Sequence, residues 1–198
     1  QKEVKPGKAI LGTRAQWIGK DGEVIMVEDR TMEFTGGQSQ RAIDFTFKMK
    51  AQDEKVVFGD TKEGMFAIRV ANWLTENPGT GMYLNSHGDT TSQNVWGKRA
   101  KWMRLEGQYQ GKDIGIIILN HPTSVNYPTY WHARGYGLFS ADPLGQSVFQ
   151  KSRGVENVEP LNYEIAAGDE ALFKFKMIIY EGHRTADQID KAFEDYTS

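Results

Sequence analysis

Residues 121–137 form the segment richest in side chains that could do chemistry. They include two histidines, one arginine, two prolines, three tyrosines and one tryptophan within 17 residues. The segment follows an apolar, strand-like run, and loops at strand ends are where binding residues gather. His132 and His121 are the candidate acid/base groups, because an imidazole exchanges protons near neutral pH. Glu63 is the candidate second carboxyl group.

Cations and aromatic rings are the candidates for binding. Arg134 is expected to clamp a carboxylate or hydroxyl groups, since guanidinium presents a planar fork of donors. His132 and Arg134 are two positions apart, so they share one face if the segment is extended. The other candidates for ligand contacts, by charge or by ring stacking, are Lys62, Lys98, Trp131, Tyr130 and His87. The alternative is an aromatic loop that packs on itself and a solvated turn at residues 60–64.

The histidines also leave a metal site open. His87, His121 and His132 lack a short spacing such as His-Glu-x-x-His, but separated histidines can converge in space with Glu63 or Asp60 as a carboxylate ligand. The alternative is that the imidazoles only satisfy hydrogen bonds. We therefore predict no cofactor and leave a divalent metal open. Cysteine is absent, which excludes disulfides and thiolate chemistry.

Composition and missing motifs argue against several other classes. The net charge of -2 provides no basic surplus for nucleic acid. No apolar run approaches the roughly 20 residues of a membrane-spanning helix, and the longest covers residues 114–119. The chain has no Gly-x-Ser-x-Gly, phosphate loop or dinucleotide fingerprint. Elbow-type serine hydrolysis, nucleotide hydrolysis and hydride transfer are therefore not expected.

Alternating apolar positions predict most of the strands. Residues 42–51, for example, place Phe45, Phe47 and Met49 on one side, which is the period of a strand with one buried face. Glycine-centred turns separate the runs and indicate hairpins. Further extended runs are expected at residues 9–18, 23–34, 56–58, 65–74, 99–109, 113–120, 136–140, 161–166 and 171–180. Residues 121–134 are expected to form a loop.

Residues 185–196 change to a helical period. Ile189 and Phe193 share one helical face, and Thr185 with Gln188 matches a capping box. Many short strands with one helix are typical of a β-sandwich. The sequence therefore predicts an all-β, antiparallel β-sandwich with one C-terminal α-helix near residues 185–196.

Several motifs stand in order along nearly the whole chain. They are DTKEGMFAIRVA (60–71), WGKRA (96–100), HP (121–122), PTYWHAR (128–134) and YGLFSADPLG (136–145). These motifs resemble a bacterial family filed as methane-oxygenase PmoA-like, a domain of unknown function. The resemblance implies a periplasmic or extracellular setting rich in carbohydrate-degrading proteins. It also implies an upstream segment of roughly a hundred residues, about the size of one small domain.

The resemblance sets an expectation about domain organisation. Residues 1–198 are expected to form a single β-sandwich domain or the C-terminal two-thirds of a larger one. In the second case, the upstream segment or another chain would cover part of the sheet, which would otherwise expose an apolar face or an unpaired edge.

Three functions remain open at this point. The first is an enzyme that hydrolyses, eliminates or isomerises a carbohydrate or sugar derivative, with His132 or His121 as acid/base and Glu63 as a second carboxyl group. The second is a noncatalytic carbohydrate-binding module with an exposed aromatic platform. The third is a structural β-domain in which the histidines and Arg134 are buried and paired with backbone. The first two require a small-molecule or glycan ligand, and the arrangement of the side chains in space discriminates among all three.

Overall fold

A computed structural model describes residues 1–198 as a protein built mainly of strands. The strands are β1 (Lys2–Lys5), β2 (Lys8–Ile18), β3 (Val24–Gly36), β4 (Gln40–Ala51), β5 (Val56–Phe58), β6 (Phe66–Arg69), β7 (Met82–Asn85), β8 (Trp102–Tyr109), β9 (Lys112–Asn120), β10 (Tyr130–Ala133), β11 (Leu138–Asp142), β12 (Tyr163–Ile165) and β13 (Glu170–Glu181). The helices are a 3₁₀ turn (Asn72–Leu74), α1 (Ser92–Val95), α2 (Ser147–Ser152) and α3 (Ala186–Thr197). None of these helices has the length and apolar character needed to cross a membrane.

The strands form two layers that pack face to face. One layer is an eight-stranded sheet in the order β1-β2-β3-β4-β13-β9-β8-β7. The other combines a three-stranded sheet, β10-β11-β6, with a two-stranded sheet, β12-β5. All strand pairs are antiparallel. The predicted all-β sandwich with a C-terminal helix is confirmed, with α1 and α2 as additional short helices.

Aromatic rings join the two layers. The register of β4 with β13 places Phe45 beside Phe175 and Phe47 beside Phe173. Phe66 of β6 stacks on Phe175, with ring centroids 4.8 Å apart. Burial of one such ring stabilises the fold by about 1.5–3 kcal/mol. These contacts hold the three-stranded sheet against the large sheet, so that its other face is turned away from the core.

Helix α3 covers the opposite face of the large sheet. Ile189 and Phe193 pack against Trp102 and the apolar side chains around it. The Thr185 hydroxyl accepts a hydrogen bond from the Gln188 N–H, and the Gln188 side chain accepts one from the Thr185 N–H. The predicted helix and its capping box are therefore confirmed, and the two sheet faces have different partners.

Several parts of the chain differ from the prediction. Residues 121–134, expected as a loop, contain β10, and residues 65–74 contain both β6 and the 3₁₀ turn. Strand β7 and helix α2 were not expected. Every residue of β10 is buried, so its sequence lacks the alternation that reveals a strand with one solvated face. Its position depends on tertiary contacts such as the hydrogen bond from the Trp131 N–H to the Lys98 carbonyl, 3.1 Å.

The second layer leaves part of the large sheet uncovered. Val4, Leu11 and Phe34 are 71%, 38% and 37% exposed. Their registers place them on the same face as Ile43 and Phe45, which contact the core. The expectation that another segment or chain covers this face stays a prediction.

Candidate ligand-binding site

The outer face of the three-stranded sheet gathers four of the predicted site residues. In β10, Trp131 points into the core, and the next residue, His132, points away from it. The register pairs His132 with Ser140 of β11, and Arg134 follows on the same face. Residues 60–65, here called the site loop, are hydrogen bonded to this face through their backbone. The site loop brings Lys62 and Glu63 to the same place.

His132 is buried and both of its ring nitrogens are occupied. The ring Nδ1 donates to the Lys62 carbonyl at 2.7 Å, and Nε2 accepts from the Arg134 Nε at 3.1 Å. Burial lowers the pKa of His132, and the nearby Arg134 charge lowers it further. The imidazole is therefore neutral near pH 7, with its proton on Nδ1. This geometry favours a positioning role for His132 in place of the expected acid/base role, because neither nitrogen is free to reach a ligand.

Arg134 is held in place without neutralisation of its charge. Its Nε is bonded to His132, and its guanidinium carbon lies 4.7 Å from the centre of the Trp96 ring. No salt bridge involves Arg134. The side chain is half-buried, and its two Nη groups make no hydrogen bond within the chain. The fold therefore presents a fixed, planar cation with two unused donor groups.

Glu63 and Lys62 form an exposed ion pair beside His132. Their side chains are 64% and 39% exposed. The hydrogen bond from Lys62 lowers the pKa of Glu63 more than desolvation raises it, and the charges of Lys62 and Arg134 lower it further. The carboxyl group is ionised at neutral pH and holds no proton to donate. The arrangement therefore does not support Glu63 as a general acid.

Side chains of β11 hold the backbone of the site loop in place. The Ser140 hydroxyl donates to the Gly64 carbonyl at 3.0 Å. The Asp142 Oδ1 accepts the Gly145 N–H at 2.8 Å, whereas its Oδ2 has no partner. Burial raises the pKa of Asp142 to about 6. A Cβ at Gly64 or Gly145 would lie 2.8 Å from an Asp142 oxygen, so glycine is required for this close approach of loop and strand.

Two cavities adjoin the site loop, one on each side. A cavity of about 110 Å³ is bordered by His132, Ser140, Leu138 and the loop. A crevice of about 310 Å³ is bordered by the loop and by side chains of the large sheet, and its lining includes Trp17, Glu28, Arg30, Phe47, Met49, Phe58 and Leu144. We call the second the tryptophan crevice. A still larger space of about 890 Å³ lies elsewhere, between residues 21–25 and 52–57.

The histidines do not converge in space. His121 lies on the α3 side of the large sheet, where its ring meets Tyr196 edge-on at 5.0 Å and its Nδ1 contacts Thr123. His87 is exposed in the loop before α1. No three histidine, aspartate or glutamate side chains lie close enough together to hold a metal ion. Of the four histidines, only His132 belongs to the site described here.

Trp131 and Tyr130 do not form the expected stacking surface for a ligand, and Lys98 has another partner. Trp131 is completely buried and donates its indole N–H to the Ala100 carbonyl. Tyr130 is 6% exposed and stacks on Phe149 with ring centroids 5.2 Å apart. The Lys98 ammonium pairs with Asp89 at 2.5 Å. Trp131 and Tyr130 are core residues, because both faces of β10 are covered.

Sequence reasoning missed the tryptophan crevice. The alternation of β3 places Glu28 and Arg30 on the apolar face of the strand, between Met26 and Met32. Two charges on a core-facing strand surface are unusual and were a usable indication of a site. The contribution of Trp17 was not visible, because its position depends on the register of β2 with β3.

A second cluster of polar residues lies on the α3 side of the large sheet. The Glu106 carboxylate accepts hydrogen bonds from the Tyr180 hydroxyl at 2.6 Å, from the His183 ring and from the Arg184 N–H at 3.2 Å. Tyr180 reaches Glu106 across Gly115, where a Cβ would lie 2.3 Å from the tyrosine. This cluster fastens the turn before α3 to the sheet.

Fold and site define a β-sandwich domain with a cationic site on its three-stranded sheet. The sequence model of a family of unknown function, DUF6807, matches residues 1–194, and the chain belongs to this family. No curated protein and no solved structure matches the chain. The resemblance to the PmoA-like family stays a prediction.

Proposed function

We propose that this domain binds an acidic carbohydrate, with Arg134 as the anchor for a carboxylate, and that His132 positions Arg134 without transferring protons. The observation that carries the proposal is the environment of Arg134. Its guanidinium is fixed by a neutral imidazole and by the Trp96 ring, and no carboxylate of the chain pairs with it. An arginine fork matches the two oxygens of a carboxylate.

The surroundings of Arg134 support an anion over a neutral ligand. Leu138 of β11 lies between Arg69 of β6, with which it pairs, and Arg134, whose N–H it accepts. The backbones of Arg69 and Arg134 are therefore two strand spacings apart, about 10 Å, on the same face of the sheet. Arg69 also forms no salt bridge, and its guanidinium carbon lies 5.1 Å from the centre of the Tyr136 ring. The Glu63 carboxylate beside these two cations is already neutralised by Lys62. The local charge is therefore positive.

The carbohydrate part of the proposal rests on the aromatic rings and on the family resemblance. Tyr136 is 58% exposed beside the two arginines, and amphipathic rings of this kind bind flat ligands with one apolar face. The binding module is preferred to the enzyme because acid/base catalysis needs a free, protonatable group. His132 has no free nitrogen, and Glu63 has a lowered pKa.

Calorimetric titration of the domain tests the proposal. The probes are glucuronic and galacturonic acid and the corresponding neutral sugars, glucose and galactose. We expect each uronic acid that binds to do so at least tenfold more tightly than its neutral counterpart. Arg134→Lys keeps the charge but loses the fork, and it should weaken uronic acid binding by roughly 10- to 100-fold, the value of a charged hydrogen-bonded contact.

A matched control separates this effect from a general loss of positive charge. Arg14 is an exposed arginine on β2 that pairs with Asp29, and Arg14→Lys should leave uronic acid binding unchanged. Equal binding of acidic and neutral sugars, or no binding of any of them, would refute the proposal.

A further inference from the structure

The tryptophan crevice has an exposed aromatic ring at one side. Trp17 is 41% exposed, and Phe58 meets its ring edge-on, with centroids 6.4 Å apart and planes at 78°. Phe58 therefore braces the indole and leaves much of it open. A flat indole surface suits the apolar C–H face of a sugar ring, because both are planar and poorly hydrated.

The crevice also has a polar floor that is ordered before any ligand binds. Glu28 is 5% exposed, and it accepts hydrogen bonds from Arg30 at 2.8 and 2.6 Å and from the Trp17 indole at 3.2 Å. The three side chains fix one another, so binding orders no new rotamers. The Arg30 Nη1 makes no hydrogen bond within the chain and remains available to a hydroxyl group. A few fixed polar groups beside an apolar wall are the usual composition of a small-molecule site.

The sizes of the two cavities indicate how a ligand is divided between them. The crevice of about 310 Å³ is at the lower limit of small-ligand sites, about 300 Å³, so it has room for one sugar ring. The cavity beside His132, about 110 Å³, has the volume of roughly three or four waters at about 30 Å³ each. That cavity has room for a substituent such as a carboxylate and is smaller than the crevice in which a whole ring fits.

The two cavities are neighbours across the site loop. Glu63, Gly64 and Met65 border both of them. Glu28 is paired with Arg30 and Glu63 with Lys62, so the crevice side has no net charge, whereas Arg134 and Arg69 make the sheet face positive. The charge distribution therefore assigns an uncharged ring to the crevice and an acidic group to Arg134.

We infer that the ligand is an acidic oligosaccharide that crosses the site loop, with an uncharged sugar unit stacked on Trp17 and the carboxylate of a second unit on Arg134. The inference rests on the proposed function and adds the ligand's length and the order of its charges. It requires that affinity rise with chain length, and that the rise depend on the Trp17 ring.

The test compares free glucuronic and galacturonic acid with oligosaccharides of two to four units that carry one of these acids at an end. In the wild type, we expect an oligosaccharide to bind at least tenfold more tightly than the free acid. Trp17→Ala should abolish this gain and leave the affinity for the free acid unchanged. Tyr109→Ala, which removes a similarly exposed ring on β8, is the control and should preserve the gain.

A second measurement does not depend on the folding of Trp17→Ala. The indole N–H resonance of Trp17, assigned with Trp17→Phe, should shift on addition of the oligosaccharide and stay unchanged with the free acid. An unchanged gain in Trp17→Ala, or an unmoved Trp17 resonance, would overturn the inference, while an effect of Arg134→Lys on the free acid would still support the proposed function. If Arg134→Lys has no effect on any acidic ligand, the proposed function fails and this inference fails with it.

Discussion

Two buried polar clusters, one on each side of the large sheet, hold arginines in different ways. On the α3 side, Arg104 lies 3.8 Å from the Glu106 carboxylate and donates to the Arg184 carbonyl. On the outer face of the three-stranded sheet, Arg134 is held by His132, which carries no charge. The first arginine is neutralised by its own chain and the second is not.

The difference separates an arginine used for folding from an arginine kept for binding. Burial would raise the pKa of Glu106, but the bonds from Tyr180 and His183 and the charge of Arg104 outweigh it and lower the pKa. Glu106 is thus an ionised carboxylate that accepts hydrogen bonds from the donor groups around it. The neutral imidazole of His132 fixes the orientation of the Arg134 side chain through a hydrogen bond. It does not neutralise the charge of Arg134, so the guanidinium can pair with an external anion.

Glu106→Gln should give the largest effect on stability. The substitution keeps the shape of the side chain but leaves the buried Arg104 without a counter-charge, which typically costs about 3 kcal/mol or more. In a protein of this size that corresponds to a melting temperature lower by roughly 6–12 °C. Glu181→Gln, in an exposed pair with Lys112, should change stability by about 0.5 kcal/mol or less. Similar melting of both variants would show that the cluster does not stabilise the turn before α3.

Asp142 provides the opposite case, a buried carboxyl group with no cation beside it. The unfolded group loses its proton near pH 3.9, and the folded group does so near 6. The proton therefore stabilises the folded state at low pH, and this contribution is lost as the pH rises from about 4 to about 6. Ionised Asp142 costs the fold about 3 kcal/mol above that range, from about 1.4 kcal/mol per pH unit.

Asp142→Asn should therefore be at least as stable as the wild type at pH 8. The asparagine oxygen can accept the same N–H groups, and it carries no charge. Its advantage should shrink at pH 4.5, where the wild type holds its proton. Urea unfolding at the two pH values measures the change. A destabilisation of the same size at both would mean that the charge of Asp142 is compensated by groups other than those described.

His132→Gln should have a smaller effect, confined to its pH dependence. Because the folded pKa of His132 is lowered, the unfolded chain takes up the proton first, near pH 6.5. The contribution of His132 is complete above that pH and is lost as the pH falls toward the folded value. Glutamine can make both hydrogen bonds but does not titrate, so the stability of the wild type relative to the variant should fall between pH 7.5 and pH 5. A constant difference would contradict a neutral His132.

Local patterns predicted the parts of the molecule in which one face is solvated. Strand β4 and helix α3 were found because their apolar residues repeat with a fixed period. Strand β10 was missed because both of its faces are buried, and the same burial makes Trp131 a core residue. The pairing of His132 with Arg134 followed from their spacing. The separation of His121 did not, because it depends on which side of the large sheet each segment reaches.

The protonation state of His132 and the response of Arg134 test the central claim most directly. Nitrogen NMR at pH 7 should show His132 as the neutral tautomer with its proton on Nδ1, and the Arg134 Nε–H resonance should be protected from exchange. Addition of the tightest-binding uronic acid should shift the Arg134 resonances and leave His132 neutral. A positively charged His132, a proton on Nε2, or Arg134 resonances that do not respond to the acid would contradict the account.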